Sequence, residues 1–295
     1  MADHSLTSLV LIAFPPVVLW VIFWRRRLAE PEPTHVLVQL FFFGIAAALP
    51  LFALRGFNFN FPPLVLILVF ALLEESLKAL ALILGTELNR AHFDKWEDGF
   101  EFALIIALGF AFVENIFYFW QTTGAPSFWA VYIFRSLGTV LAHTIFTGTF
   151  GYFYATAYVA KKIVPLKKHE KPLANFFSNF GKVLRRPLHI TIFHLLPRRD
   201  SAHGHTSGEV VLEGFLLAVI LHAIFNALLF CKILNQNLTP LVVPILLGAA
   251  WWYATRFRRI RKSAQKSSRA KLSGRASDSR LGRRRRTADR RAPRP

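Results

Sequence analysis

Residues 62–84 read PPLVLILVFALLEESLKALALIL, and this stretch decides the fold. Its apolar residues are continuous rather than confined to one helical face, as in a segment surrounded by lipid. About 20 such residues suffice to cross a hydrocarbon core roughly 30 Å thick. In the middle stand Glu74, Glu75 and Lys78. At 1.5 Å per residue Glu74 lies about 18 Å from the start of the segment, too deep to reach water by extending. An ionisable side chain at that depth costs roughly 2.5–3.5 kcal/mol on insertion scales, so it must find partners.

Working outward, six more apolar blocks follow the same pattern. The expected spans are 5–24, 36–54, 62–84, 99–120, 128–160, 209–232 and 238–257. The fold expected is an all-α, polytopic transmembrane bundle of about seven helices. The chain's 295 residues are 54% hydrophobic, including 30 phenylalanines, which excludes an ordinary soluble domain. Pro15, Pro16 and Pro50 fall within spans, where membrane helices tolerate them. The first block has no basic residue before it and Arg25–Arg27 after it, so a retained helix is expected rather than a cleaved leader.

The net charge is +19, but residues 256–295 hold 17 Lys/Arg against Asp278 and Asp289. Basic residues also crowd the connections 25–35 and 161–208, whereas the intervening connections carry little beyond Arg55 and Lys232. That asymmetry predicts an N-out, C-in orientation. The domain division is then 1–257 for the membrane part, with its core at 35–232, and 258–295 for a disordered basic tail. The middle of the 161–208 loop suits a helix on an anionic membrane surface, a disordered basic loop being the alternative. Beyond Phe257 the tail lacks aromatics, so anionic lipids rather than nucleic acid are its expected partner. His203 and His205 read as part of a solvated linker. A single cysteine, Cys231, excludes a disulfide framework and any multi-cysteine metal site.

The remaining polar residues of the spans share a pattern. Lys78 is one turn from Glu74 and three residues from Glu75, so it can pair with either. One lysine cannot neutralise two carboxylates, and the surplus one is suited to general-base chemistry. Glu114 and Asn115 fall in the fourth span. Arg135, Thr139 and His143 recur at four-residue steps in the fifth, with Arg135 shallow enough to snorkel. His222 and Asn226 share a face of the sixth, placed to donate two hydrogen bonds to one oxygen. Glu101 reads as an interfacial residue. Mutual satisfaction requires the buried groups to converge on a proton-transfer site or a metal site. No HExxH pair and no Gly-x-Ser-x-Gly is present, which leaves water activated by glutamate.

At these residues the chain resembles the PrsW family of glutamic-type intramembrane proteases, relatives of the type II CAAX prenyl proteases. The motifs are Glu74-Glu75-Ser76-Leu77-Lys78, then Phe110-Ala111-Phe112-Val113-Glu114, then His143 and His222-Ala223-Ile224-Phe225-Asn226. The resemblance implies an endopeptidase of a bacterial cytoplasmic membrane that cuts membrane-associated proteins, such as a single-pass anti-sigma factor. It implies that Glu74 and Glu75 include the water-activating base, that Lys78 tunes them, and that Glu114 and His143 help hold the water. His222 and Asn226 would stabilise the oxyanion. No cofactor and no metal ligand is assigned. A non-catalytic scaffold of the same superfamily is the alternative reading.

Overall fold

The structure is a computed structural model describing residues 6–26, 28, 30–54, 60–163, 207–230, 244, 246 and 248. The elements are α1 (Leu6–Arg25), α2 (Thr34–Leu54), α3 (Pro63–Leu88), a 3₁₀ turn (Arg90–His92), α4 (Trp96–Thr122) and α5 (Phe128–Phe134). A π-helical turn (Arg135–Thr139), α6 (Val140–Ile163) and α7 (Ser207–Phe230) complete them. All described regular structure is helical, as the apolar blocks imply. Five stretches are long and apolar enough to cross a membrane: α1, α2, α4, α5 through α6 to Val159, and α7. Helix α3 has 26 residues and carries the three buried charges at its centre. Six of the seven expected spans thus appear as helices. Most of the seventh and of the 161–208 loop, Cys231 and the tail lie outside the described residues.

The helix ends follow local chemistry. Pro63 opens α3, where the N–H it lacks would have had no intrahelical acceptor. Asp98 closes the first turn of α4 by accepting the N–H groups of Asp94 at 2.9 Å and Lys95 at 2.7 Å. The fifth span is one rod, but at its π turn the N–H of Val140 reaches back to the Arg135 carbonyl, five residues earlier. The indole of Trp20 on α1 donates to the Ser136 carbonyl at 2.8 Å and ties α1 to that turn.

Helix α4 is the centre of the bundle. Every residue from Asp98 to Phe112 is buried, which fits a helix packed on all sides by α1, α2, α3 and α6. Small residues permit the close crossings. Gly44 of α2 faces the Ile106 carbonyl, and Gly109 of α4 faces the Phe41 carbonyl. Gly99 of α4 and Gly151 of α6 face each other's carbonyls, and a side chain at any of the four would strike backbone. Glu101, near the start of α4, meets the connection between α1 and α2. It is 2% exposed and accepts the Glu32 N–H at 3.0 Å, fastening the α1–α2 connection to α4. Between α3, α4, α6 and α7, helices carrying buried ionisable residues face one another.

Candidate functional site

Four helices deliver the buried charges to one chamber. Successive residues of a helix point about 100° apart, so Glu74 and Glu75 must face different surroundings. Glu75 turns into the bundle and is fully engaged. Its Oε1 accepts Lys78 Nζ at 2.8 Å and His222 Nδ1 at 2.8 Å, and its Oε2 accepts the Thr147 hydroxyl at 3.0 Å. Glu74 faces a cleft of about 530 Å³. Its buried Oε2 has no hydrogen-bond partner, with Lys78 Nζ 3.9 Å away and His222 Nε2 at 3.6 Å.

Lys78 is fully buried and fixes the next link. An ammonium has only protons to give, so His143 Nδ1, 2.9 Å from Nζ, must offer its lone pair. The proton of the neutral ring then sits on Nε2, which donates to Glu114 Oε2 at 2.9 Å. Glu114 Oε2 also accepts Arg135 Nη2 at 3.1 Å, while Arg135 Nε donates to Asn115 Oδ1 at 2.8 Å. Arg135 does not snorkel to the surface. It is 8% exposed, held between Glu114 and Asn115, with its guanidinium 3.7 Å from the centre of the Tyr118 ring. Aromatic rings wall the rest: Phe110 lies 4.3 Å from Lys78 Nζ, and Phe146 stacks on His222 at 5.6 Å.

The cleft runs along α3 from Pro63 through Leu66, Ile67 and Phe70 to Glu74, a single helical face. Opposite stand His222, Phe225, Asn226 and Leu229 of α7, with Glu114, Tyr118, Arg135, Thr139 and His143 at its base and side. The arrangement therefore places a carboxylate with an oxygen free of hydrogen bonds at the end of a largely apolar helical face. The structure brings together all seven residues singled out in sequence: Glu74, Glu75, Lys78, Glu114, His143, His222 and Asn226. It adds Arg135, Thr139 and Thr147. Arg135 and Thr139 share the His143 face by spacing, and the expectation that Arg135 snorkels is what the structure corrects. Thr147 continues the same four-residue series one step past His143, and that spacing was the signal for it.

Residues 32–174 match the family described as PrsW family intramembrane metalloproteases. Among curated proteins, the protease PrsW of Bacillus subtilis (strain 168) is 31% identical over 113 residues, 35% of this chain and 50% of that protein. The protease PrsW of Clostridioides difficile (strain 630) is 29% identical over 156 residues, 50% of this chain and 64% of that protein. The chain thus spans one half to two thirds of these relatives. No solved structure matches it.

The family's description implies a metal, and Glu74, His143 and His222 do offer ligand atoms within 4.8 Å of one another. The donor set does not fit one. Both nitrogens of His143 are committed, to Lys78 and to Glu114, and an ammonium stands 3.9 Å from Glu74 Oε2, on the trio's one carboxylate. A metal ligand must offer a free lone pair, and a second cation at that distance opposes a divalent ion. From residue 32 to residue 174 the chain is similar in sequence to the PrsW family, a stretch that holds Glu74, Glu75, Lys78, Glu114 and His143 and ends before His222.

Proposed function

We propose that the chain is a membrane-embedded endopeptidase in which Glu74 activates water against a peptide bond of a membrane-associated protein. The observation that carries this reading is Glu74 in the lining of the cleft, with its carboxylate free of hydrogen bonds at Oε2 and 3.6 Å from His222 Nε2. A general base needs access to water and freedom from stronger partners. Glu75, saturated by three donors, has neither, so its role is to hold Lys78 and His222 in place.

Three carboxylates, Glu74, Glu75 and Glu114, face the Lys78 ammonium and the Arg135 guanidinium in the chamber, so charge balance calls for one further proton. With that proton on His222, Nε2 is a donor beside the cleft, one helical turn from the Asn226 amide. Glu74 takes a proton from water as the water oxygen bonds to the carbonyl carbon. The carbonyl π electrons move onto oxygen, and His222 and Asn226 donate to the resulting oxyanion. As the intermediate collapses, the C–N bond breaks and Glu74 passes its proton to the departing amine.

The apolar passage fits an extended segment of a single-pass protein, an anti-sigma-factor-like substrate among them. With the N-terminus outside and the C-terminus inside, the Pro63 end of the cleft opens on the outer face of a bacterial cytoplasmic membrane. The basic loop 161–208 and the tail would then meet anionic lipids on the inner face.

The test is cleavage of a single-pass reporter co-reconstituted with the full chain. Glu74→Gln is expected to lower the rate by roughly 10²–10⁴-fold, the usual contribution of a positioned base, with helicity and thermal unfolding preserved. Unchanged cleavage by a folded Glu74→Gln protein rules the reading out. Absence of cleavage by the wild type, with Glu75→Gln disrupting assembly of a larger complex, selects the scaffold instead.

A further inference from the structure

We propose that Lys78 is the resident cation of this chamber, and that its ammonium keeps Glu74, His143 and His222 from acting as a divalent-metal site. The three residues have the composition of a zinc-type ligand set, two imidazoles and a carboxylate. Their ligand atoms lie within 4.8 Å of one another, and all three side chains are buried. Besides the exchangeable proton on His222, what separates them from a metal site is Lys78. Its Nζ takes the lone pair of His143 Nδ1 at 2.9 Å, stands 3.9 Å from the unpaired Glu74 Oε2, and bonds to Glu75 Oε1 at 2.8 Å. Those are the positions at which a cation satisfies this chamber, and they are filled by a group attached to the chain.

The consequence is asymmetric. While Lys78 is present, a metal would have to displace an ammonium that Glu75 holds at 2.8 Å and Phe110 covers at 4.3 Å. Once Lys78 is replaced by an uncharged residue, His143 Nδ1 loses its donor and Glu74 loses its neighbouring positive charge. The trio can then turn its lone pairs toward one ion, and the chamber, left one positive charge short, attracts it. The inference does not depend on whether the chain hydrolyses peptides, and its test uses no substrate.

The full chain, purified in detergent without a histidine tag, is titrated with Co²⁺ and equilibrated with Zn²⁺, and metal content is measured by mass spectrometry. The quantity read is the bound metal that Glu74→Gln removes. The wild type is expected to hold none, to show no tetrahedral Co²⁺ absorption band, and to unfold at the same temperature with or without chelator. Lys78→Met is expected to gain a Glu74-dependent tetrahedral band and to bind Co²⁺ at least about tenfold more tightly than the wild type. Lys78→Gln, which keeps a hydrogen-bond donor for Glu75, carries the same expectation should Lys78→Met not fold. Lys78→Arg keeps the charge and is expected to stay without metal. Stoichiometric Glu74-dependent metal in the wild type overturns the proposal, as does a folded Lys78→Met or Lys78→Gln protein with no gain in affinity.

Discussion

Lys78 Nζ and His143 Nδ1 lie 2.9 Å apart, and that contact sets the protonation pattern of the chamber. A lysine held 2.8 Å from a carboxylate is a pure donor, so the imidazole must present its lone pair to it. The ring is thereby turned with its Nε2–H toward Glu114, which Arg135 holds from the other side. A chain of five side chains from Glu75 to Arg135 is ordered by one buried ammonium. Glu74, next in sequence to Glu75, is left outside it and faces the cleft.

That order is open to direct observation. In protein labelled with ¹⁵N at histidine, His143 is expected to show the neutral Nε2–H tautomer, with an unprotonated Nδ1. Lys78→Met is expected to move the Nδ1 resonance while leaving the signals of His35 and His92, outside the chamber, in place. An Nδ1–H tautomer for His143 in the wild type contradicts the arrangement.

Glu75 and Thr147 are expected to matter for stability before they matter for rate. Glu75→Gln leaves Lys78 and His222 facing a neutral amide, and breaking a buried pair costs about 3–5 kcal/mol. Thr147→Val removes one donor from Glu75 Oε2 and is expected to cost about 1–3 kcal/mol. Thermal unfolding in detergent reads both, with Glu75→Gln the more damaging. A Glu75→Gln protein as stable as wild type would mean that the carboxylate does not organise the chamber.

Arg135 touches Glu114, Asn115 and Tyr118, so it positions Glu114 and, through it, His143. Arg135→Lys retains the charge but has no planar fork to bridge two acceptors. On the proposed activity, it is expected to lower kcat about tenfold with KM little changed, since the contact is not with substrate. Arg135→Met removes the charge as well and should fall further and unfold at a lower temperature. Equal rates for the arginine and lysine forms would reduce Arg135 to charge balance alone.

The helices were legible because lipid-facing segments are apolar on every side, and six of the expected spans needed nothing beyond that. The charges within them were legible because a carboxylate at that depth needs company. Other features depend on neighbours distant in sequence. Glu74 and Glu75 are chemically identical until α6 supplies Thr147 and α7 supplies His222, and then one is saturated and the other is not. Arg135 reads as a shallow residue when depth is counted along a single helix. The π turn and the carboxylate of Glu114 on α4 draw it inward instead. Spacing could not name the partner of Glu101 either, which is the backbone of Glu32, 69 residues away in the chain. Spacing gives the face of a helix, but it does not say what that face meets.

The glycine contacts around α4 give the sharpest test of the bundle itself. Gly44 and Gly109 each place their missing side chain against a carbonyl of the opposite helix, at Ile106 and Phe41. Backbone cannot swing aside as a flexible side chain can, so a larger residue must push α2 and α4 apart. Gly109 also lies one residue before Phe110, whose ring covers Lys78 and packs on His143 at 5.7 Å. Gly109→Val is therefore expected to destabilise the fold by about 1–3 kcal/mol through overpacking, and to disturb the chamber as well. Gly44→Val strains the same crossing from α2, with no chamber residue beside it in sequence. It should lower the unfolding temperature by a similar amount while moving the His143 resonances less. Equal stability of Gly109→Val and wild type, measured by thermal unfolding at matched detergent concentration, would show that α2 and α4 do not cross at this distance.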